Sequence, residues 1–295
     1  MMRRYWPGWA VRCALLSGVV VGLLLWGCGK PGQGPGGGPG GAKPMPAVGK
    51  NADTVGLYGA AKATFMLTSS SHPDTIEKTF TFGRPGAGWI AIAGDWDGDG
   101  VDTAGLYDPK QSNFRLTNDP SGGKGKPEIG FRYGRAGAGW LPVAGDWDGN
   151  GKDTVGLYDP ARGRFFLSKN LEGGKDSTVV RFGAKGAKLA PVAGDWDGNG
   201  KDTVGLYDPK TSKFLLINRL DATKPEIGFR YGRPGAGWLA LTGDWDGDGK
   251  SGVGLYLPED GSFYLRNALS KGNAEVEVRT GVKGKALQPL GGRWQ

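Results

Sequence analysis

The chain is poor in the residues that build catalytic and zinc sites. It holds one histidine, His72, and two cysteines, Cys13 and Cys28, both near the N-terminus. No disulfide framework and no Cys/His zinc site can form in the rest of the chain. His72 lies in a polar connector, has no Ser or Cys arranged with it as a triad, and is expected to be exposed. Runs of like charge are missing as well. The formal net charge is +8, but Arg3, Arg4 and Arg12 precede residue 28, and the rest of the chain scatters its charge to a net of +5. Nucleic-acid binding is therefore not expected. Good helix composition is absent too. With 57 Gly and 19 Pro in 295 residues, about a quarter of the chain disfavours helix interiors, so a helical bundle is excluded. Disorder or a turn-dense β fold remains, and periodicity decides between them. Aromatics at 11% argue for a core.

The single long apolar run covers residues 14–26, too short to span a bilayer comfortably. With the three preceding arginines it reads as a signal peptide over residues 1–27. It ends in Leu25-Trp26-Gly27-Cys28, which resembles a bacterial lipobox. That resemblance implies cleavage before Cys28 and its lipidation, hence an anchor in the cell envelope; several acyl chains anchor stably where one is marginal. Gly29 and Lys30 follow Cys28, and by the same resemblance this favours the outer membrane or cell surface. The alternative is an uncleaved N-terminal anchor with an incidental Cys. Residues 28–49 are expected to form a flexible tether, since residues 29–41 hold eight Gly and three Pro.

From residue 50 the chain repeats. Gly-Asp-Trp-Asp-Gly occurs four times, with its first Asp at Asp95, Asp146, Asp195 and Asp244, spaced by 51, 49 and 49 residues. Each copy runs into Gly-Leu-Tyr, then an aromatic-aliphatic segment such as Phe114-Arg115-Leu116, then a closing pair such as Tyr133-Gly134. The ends are complementary. Asp53-Thr54-Val55-Gly56-Leu57-Tyr58 is a second half-unit, and residues 287–295 are a first half-unit aligned with residues 189–197. An open solenoid has no use for such halves, whereas a closed ring needs them to remove its exposed sheet edges.

Each unit reads as four short strands separated by turn signals. Strand one is expected at residues 89–93, 140–144, 189–193, 238–242 and 287–291. Its small residues and prolines suit an inner edge strand near a ring axis. The expected fold is all-β: a five-bladed β-propeller of about 49-residue units over residues 50–295.

After strand one, each full unit has an acidic loop. In the first, Asp95, Asp97 and Asp99 fall at positions 1, 3 and 5, Gly98 and Gly100 at 4 and 6, and Asp102 at 8. The second carries Asp146, Asp148, Asn150 and Asp153; the third Asp195, Asp197, Asn199 and Asp202; the fourth Asp244, Asp246 and Asp248, with Ser251 at position 8. Calcium takes six to eight oxygens, which an alternating loop wound around the ion supplies. The other reading is a metal-free turn whose Asp side chains cap backbone amides. At these residues the chain resembles the FG-GAP/VCBS family, whose propeller repeats carry Asp-x-Asp-x-Asp-Gly calcium loops. The resemblance implies up to four calcium ions, with no site in the composite fifth unit, where Arg293 and Gln295 replace the first two Asp. The family's last acidic ligand usually sits at position 9, which here holds Thr103, Thr154, Thr203 or Gly252. The final ligand is left as Thr, the position-8 Asp, or water, and the fourth site is expected to be the weakest. The Trp between the first two Asp is expected to serve blade packing.

A lesser ligand candidate is the recurring pair Arg84 and Trp89, Arg135 and Trp140, Arg233 and Trp238. A lectin could stack a sugar on the Trp and bond its hydroxyls through the Arg. The favoured reading is an inter-blade connection with buried Trp, and the third unit carries Lys185 and Leu189 instead. The leading expectation is a non-enzymatic, monomeric, calcium-stabilised binding or adhesion module with an unidentified protein or glycan ligand. A carbohydrate lectin and an envelope protein scaffold are the alternatives. No unit carries the unique acid, base or nucleophile that catalysis requires.

Overall fold

A computed structural model describes residues 43–44, 51–174 and 177–294. The signal peptide and Cys28 lie outside the described residues. So does the tether, apart from residues 43–44.

The repeat becomes five four-stranded antiparallel blades in a ring. Strand β1 (Lys43–Pro44) is an appendage treated below. The second blade is β5 (Ile90–Gly94), β6 (Thr103–Asp108), β7 (Asn113–Leu116) and β8 (Ile129–Arg132). The third is β9 (Leu141–Gly145), β10 (Thr154–Asp159), β11 (Arg164–Ser168) and β12 (Ser177–Val180). The fourth is β13 (Ala190–Gly194), β14 (Thr203–Asp208), β15 (Lys213–Leu216) and β16 (Ile227–Arg230). The fifth is β17 (Leu239–Gly243), β18 (Gly252–Leu257), β19 (Ser262–Arg266) and β20 (Val276–Arg279).

The first blade joins the two ends of the domain. Strands β2 (Thr54–Gly59), β3 (Thr64–Leu67) and β4 (Lys78–Thr81) take β21 (Leu287–Gly292) as their innermost strand. The pairing is antiparallel over six residues, from Thr54 opposite Gly292 to Gly59 opposite Leu287. The complementary half-units therefore close the ring as their sequences demand. The inner strands touch in the cyclic order β21, β5, β9, β13, β17 and back to β21. They enclose a small axial cavity of about 150 Å³, walled by Ala93, Pro142, Pro191, Thr242 and Gly291 among others. Small residues and prolines are there because an axis crowded by five strands leaves no room for more, and an edge strand tolerates a missing N–H.

Blades pack face to face, so the second strand of each is buried on both sides. Tyr58, Leu57, Leu106, Tyr107, Leu157 and Tyr158 are all fully buried. Each apolar cluster combines one blade with the next: Phe114, Leu116 and Phe131 of the second blade pack with Val155 and Leu157 of the third. An aromatic ladder crosses three of the sheets, as in Tyr107, Phe114 and Phe131 at 4.7 and 5.6 Å between ring centroids. Burying each such ring contributes on the order of 2–3 kcal/mol.

In the second blade the loop Trp lies down on two glycines. A Cβ on Gly94 or Gly105 would stand 2.8 and 3.0 Å from the Trp96 indole, so glycine is needed on both inner strands. Trp96, Trp196 and Trp245 are buried, and Trp294 takes the same place in the first blade. This is the packing role expected from the sequence. One element was not expected: β1 pairs in parallel with the outer edge of β20, inside the stretch assigned to the tether.

Candidate functional site

Each acidic loop links the first strand of a blade to the second. In the loop after β5, Asp95 accepts three backbone N–H bonds: Oδ1 from Gly98 and Asp99 at 2.7 and 3.1 Å, Oδ2 from Gly100 at 2.7 Å. Asp99 Oδ1 accepts from Val101 N at 2.8 Å. The chain thus curls around Asp95, and only glycine suits the left-handed turns at Gly98 (φ 81°) and Gly100 (φ 85°). The other three loops repeat this wiring on Asp146, Asp195 and Asp244.

The winding brings like charges together. Carboxylate oxygens of Asp95, Asp97 and Asp99 lie within 4.8 Å of one another, and so do those of Asp244, Asp246 and Asp248. In the fourth loop, burial and repulsion from Asp248 and Asp244 raise the Asp246 pKa. The second and third loops hold an amide in place of the last acid, Asn150 or Asn199, whose Oδ1 accepts from the backbone of Lys152 or Lys201. Three converging, solvent-facing carboxylates are a hard-oxygen donor set that fits calcium. Backbone capping and cation binding use different lone pairs, so the capping leaves oxygen lone pairs on these side chains that a cation could take.

Asp102, Asp153 and Asp202, at position 8, lie outside these two clusters. Each of these side chains turns to the preceding blade. Asp153 Oδ2 accepts from Asp95 N at 2.9 Å, Asp202 Oδ2 from Asp146 N at 2.9 Å, and Asp102 Oδ2 from Arg293 N at 2.7 Å. Ser251 Oγ does the same for Asp195 N at 3.0 Å, and Asp53 Oδ2 for Asp244 N at 2.8 Å. In return, the backbone N–H of each of these five residues donates to the carbonyl of the same partner, at 2.7–3.0 Å. The result is a closed ring of five two-bond latches, one per blade junction. The position-9 threonines sit in the second strands and are spent on backbone carbonyls, as with Thr154 Oγ1 on Ser168 O at 2.9 Å. The fourth loop, expected from the sequence to be the weakest site, is with the first one of two that bring three carboxylates together.

Asp53 and Arg293 were not singled out as functional residues by sequence reasoning, although Asp53 precedes Thr54-Val55-Gly56 just as Asp102 precedes its own strand. Arg293 also sends Nε to Gly100 O at 2.5 Å, tying the composite loop to the neighbouring acidic one.

The four latch carboxyls share one electrostatic problem. Protein surrounds them on nearly every side, although each keeps some accessible surface. Burial, with mutual repulsion, pushes Asp53 up to about 8, Asp202 up to about 7 and Asp102 up to about 6, and raises Asp153 well above the ordinary carboxylate range. A folded-state pKa above the unfolded value makes the native state bind the extra proton. The stabilisation is complete below about pH 4 and is lost as pH rises through 6 to 8. In calcium-free buffer, Tm is therefore expected to fall between pH 5 and 8 by at least about 3 °C, the effect of one pKa unit on a domain of this size. A thermal scan series giving a Tm that rises over that window would contradict the arrangement.

The Arg/Trp pairs separate. Trp140 stacks on Phe166 at 4.7 Å and 11°, and Trp238 stacks on Tyr264 at 5.5 Å and is buried. Their partners Arg135 and Arg233 are exposed. Only the first pair shares a cavity among those described: Arg84 and Trp89 line about 520 Å³ with Lys110 and Arg115. There Arg115 occupies the stacking place, its guanidinium 4.1 Å from the indole centroid. Of the three indoles only Trp238 is buried, and each lies against the third strand of its own blade. His72 is exposed and faces Glu77 at 2.5 Å.

No family model matches the chain, and no curated protein matches it. Solved structures similar to it include virginiamycin B lyase from Staphylococcus aureus in selenomethionine form, with a TM-score of 0.41 and 9% identity, covering 79% of this chain and 74% of that one. Another is BBS1N in complex with ARL6DN, with a TM-score of 0.38 and 8% identity, covering 80% of this chain and 72% of that one. Likeness at this level carries no inference about activity or partner.

Proposed function

We propose that this propeller is a non-enzymatic, calcium-stabilised binding or adhesion module, monomeric and held at the cell envelope by a lipidated Cys28. The observation that supports calcium is the pair of three-carboxylate clusters, at Asp95, Asp97 and Asp99 and at Asp244, Asp246 and Asp248. A cation between such groups relieves their repulsion and pins the link between the first and second strands. Its role is structural: the loops lack a histidine and carry no nucleophile or base beyond the repeated carboxylates. The two Asn-containing loops, at Asp146 and Asp195, are weaker sites because they offer one carboxylate fewer.

Calorimetric titration of calcium into stripped protein tests this. Two tight and two weaker sites are expected, the weaker about tenfold so, since ligand charge tunes affinity. Chelator should lower Tm. No heat of binding together with an unchanged Tm in chelator would remove the metal from the account. The anchor is tested separately: Cys28→Ala should move the protein out of the membrane fraction, and an unchanged distribution would refute lipidation at that residue.

A further inference from the structure

The five blades are near-copies, so a feature confined to one of them stands out against four internal controls. The lower corner of the third blade is such a feature. There the turn from β10 to β11 meets the segment leading out of β12, and a cavity of about 450 Å³ opens between them. Four cationic side chains line it: Arg162, Arg164, Arg181 and Lys185. At the same four places the other blades hold no more than two cations each, for example Lys213 and Arg230 in the fourth blade. The acid facing the group is Asp159, fully buried, whose Oδ2 lies 3.2 Å from Arg162 Nη1 and 3.9 Å from Arg164 Nε. Among the described residues, Arg181 and Lys185 have no hydrogen-bond or ion-pair partner, and both are exposed.

The corner is also short of partners for its buried polar atoms. In the second blade, Tyr107 OH meets Ser112 Oγ at 3.1 Å, and in the fifth, Tyr256 OH donates to Val282 O at 2.9 Å. In the third blade, Gly163 stands where Ser112 does, and the fully buried Tyr158 hydroxyl has no partner. It lies directly behind the cavity wall, since a Cβ on Gly183 would be 2.6 Å from it. Arg164 Nε and the acceptor Asp159 Oδ1, buried at the same place, also lack a hydrogen bond. A buried donor left unpaired is costly, and Arg164 Nε is one that an acceptor entering beside it would satisfy.

We propose that this corner binds a phosphate-type oxyanion, carried by a soluble phosphorylated compound or by a lipid headgroup. Guanidinium forks bind tetrahedral oxyanions through paired N–H bonds, and a lysine adds a point charge. The site names a ligand class for the binding module proposed above and rests on that reading. It does not depend on the acidic loops, so loss of calcium uptake and loss of anion uptake are separable results.

The test titrates sodium pyrophosphate into the detergent-solubilised full chain in calcium-free buffer. One saturable site is expected. The double variant Arg181→Ala, Lys185→Ala removes two exposed, unpartnered side chains and should leave Tm unchanged. It should weaken binding by at least about tenfold, the scale of losing two charge-assisted contacts. Arg132→Ala, at the equivalent of Arg181 in the second blade, should bind as the parent does. Sedimentation with phosphatidylglycerol vesicles, set against phosphatidylcholine alone, identifies the source. Binding that pyrophosphate displaces marks a headgroup, and pyrophosphate uptake without vesicle binding marks a soluble ligand. The proposal is overturned by failure of both probes, by vesicle binding that pyrophosphate leaves intact, or by equal weakening in Arg132→Ala.

Discussion

Deleting residues 287–295 is expected to unfold the whole propeller rather than trim one blade. The deletion removes β21, and with it six paired positions on β2, the buried Leu290 and Trp294, and the Arg293 side of one latch. Loss of a buried Trp alone costs about 3–5 kcal/mol. Adding the strand pairing brings the loss above about 5 kcal/mol, comparable with the whole stability of an ordinary domain. The bared edge of β2 would also present unpaired N–H and C=O groups to other chains, so aggregation should accompany unfolding. Circular dichroism and thermal melting read the result. A truncated protein that melts cooperatively near the parental Tm would show that the seam carries no stability.

Asp153→Ala and Asp153→Asn should have opposite outcomes, although both remove the same charge. Alanine leaves Asp95 N–H without its acceptor at a buried blade junction, which costs about 1–3 kcal/mol or a Tm fall of roughly 2–12 °C. Asparagine keeps an acceptor oxygen and removes one of four mutually repelling carboxyls. It should be neutral or stabilising at pH 8 and should flatten the decline of Tm with pH. The chain already contains a neutral version of the latch, since Ser251 Oγ serves Asp195 N in the fifth blade. Equal losses in the two variants would mean that the charge, not the hydrogen bond, is what the junction uses.

The period, the blade count and the closing of the ring were legible because they are properties of repetition. A 49-residue unit with half-units at its ends has few ways to bury its strand edges. The inner strands were placed one residue early in four blades, since the Trp or Leu that opens the motif belongs to the connector. Side-chain direction at the loop end was not legible. Asp102 and its equivalents follow the alternating acids by three positions, and the sequence carries no mark that they face the neighbouring blade. That choice is made by packing between units, which a single unit's pattern does not encode. The neighbours of the Arg/Trp pairs were hidden for a related reason. What covers each indole is the middle residue of the third strand, which differs from blade to blade as Arg115, Phe166 and Tyr264. The third blade's basic corner was visible in principle as a comparison of aligned units, but its residues are split between a turn and a connector some twenty positions apart.

The claim that the acidic loops hold calcium is tested most directly by terbium, which takes calcium's oxygen ligands and scatters anomalously. Crystals soaked in terbium chloride should show four peaks, each beside the Asp at positions 1, 3 and 5 of one loop, strongest at Asp95–Asp99 and Asp244–Asp248. No peak is expected at Arg293 or among Asp53, Asp102, Asp153 and Asp202. Peaks among those latch carboxyls with none in the loops, or no peaks at all, would contradict the account.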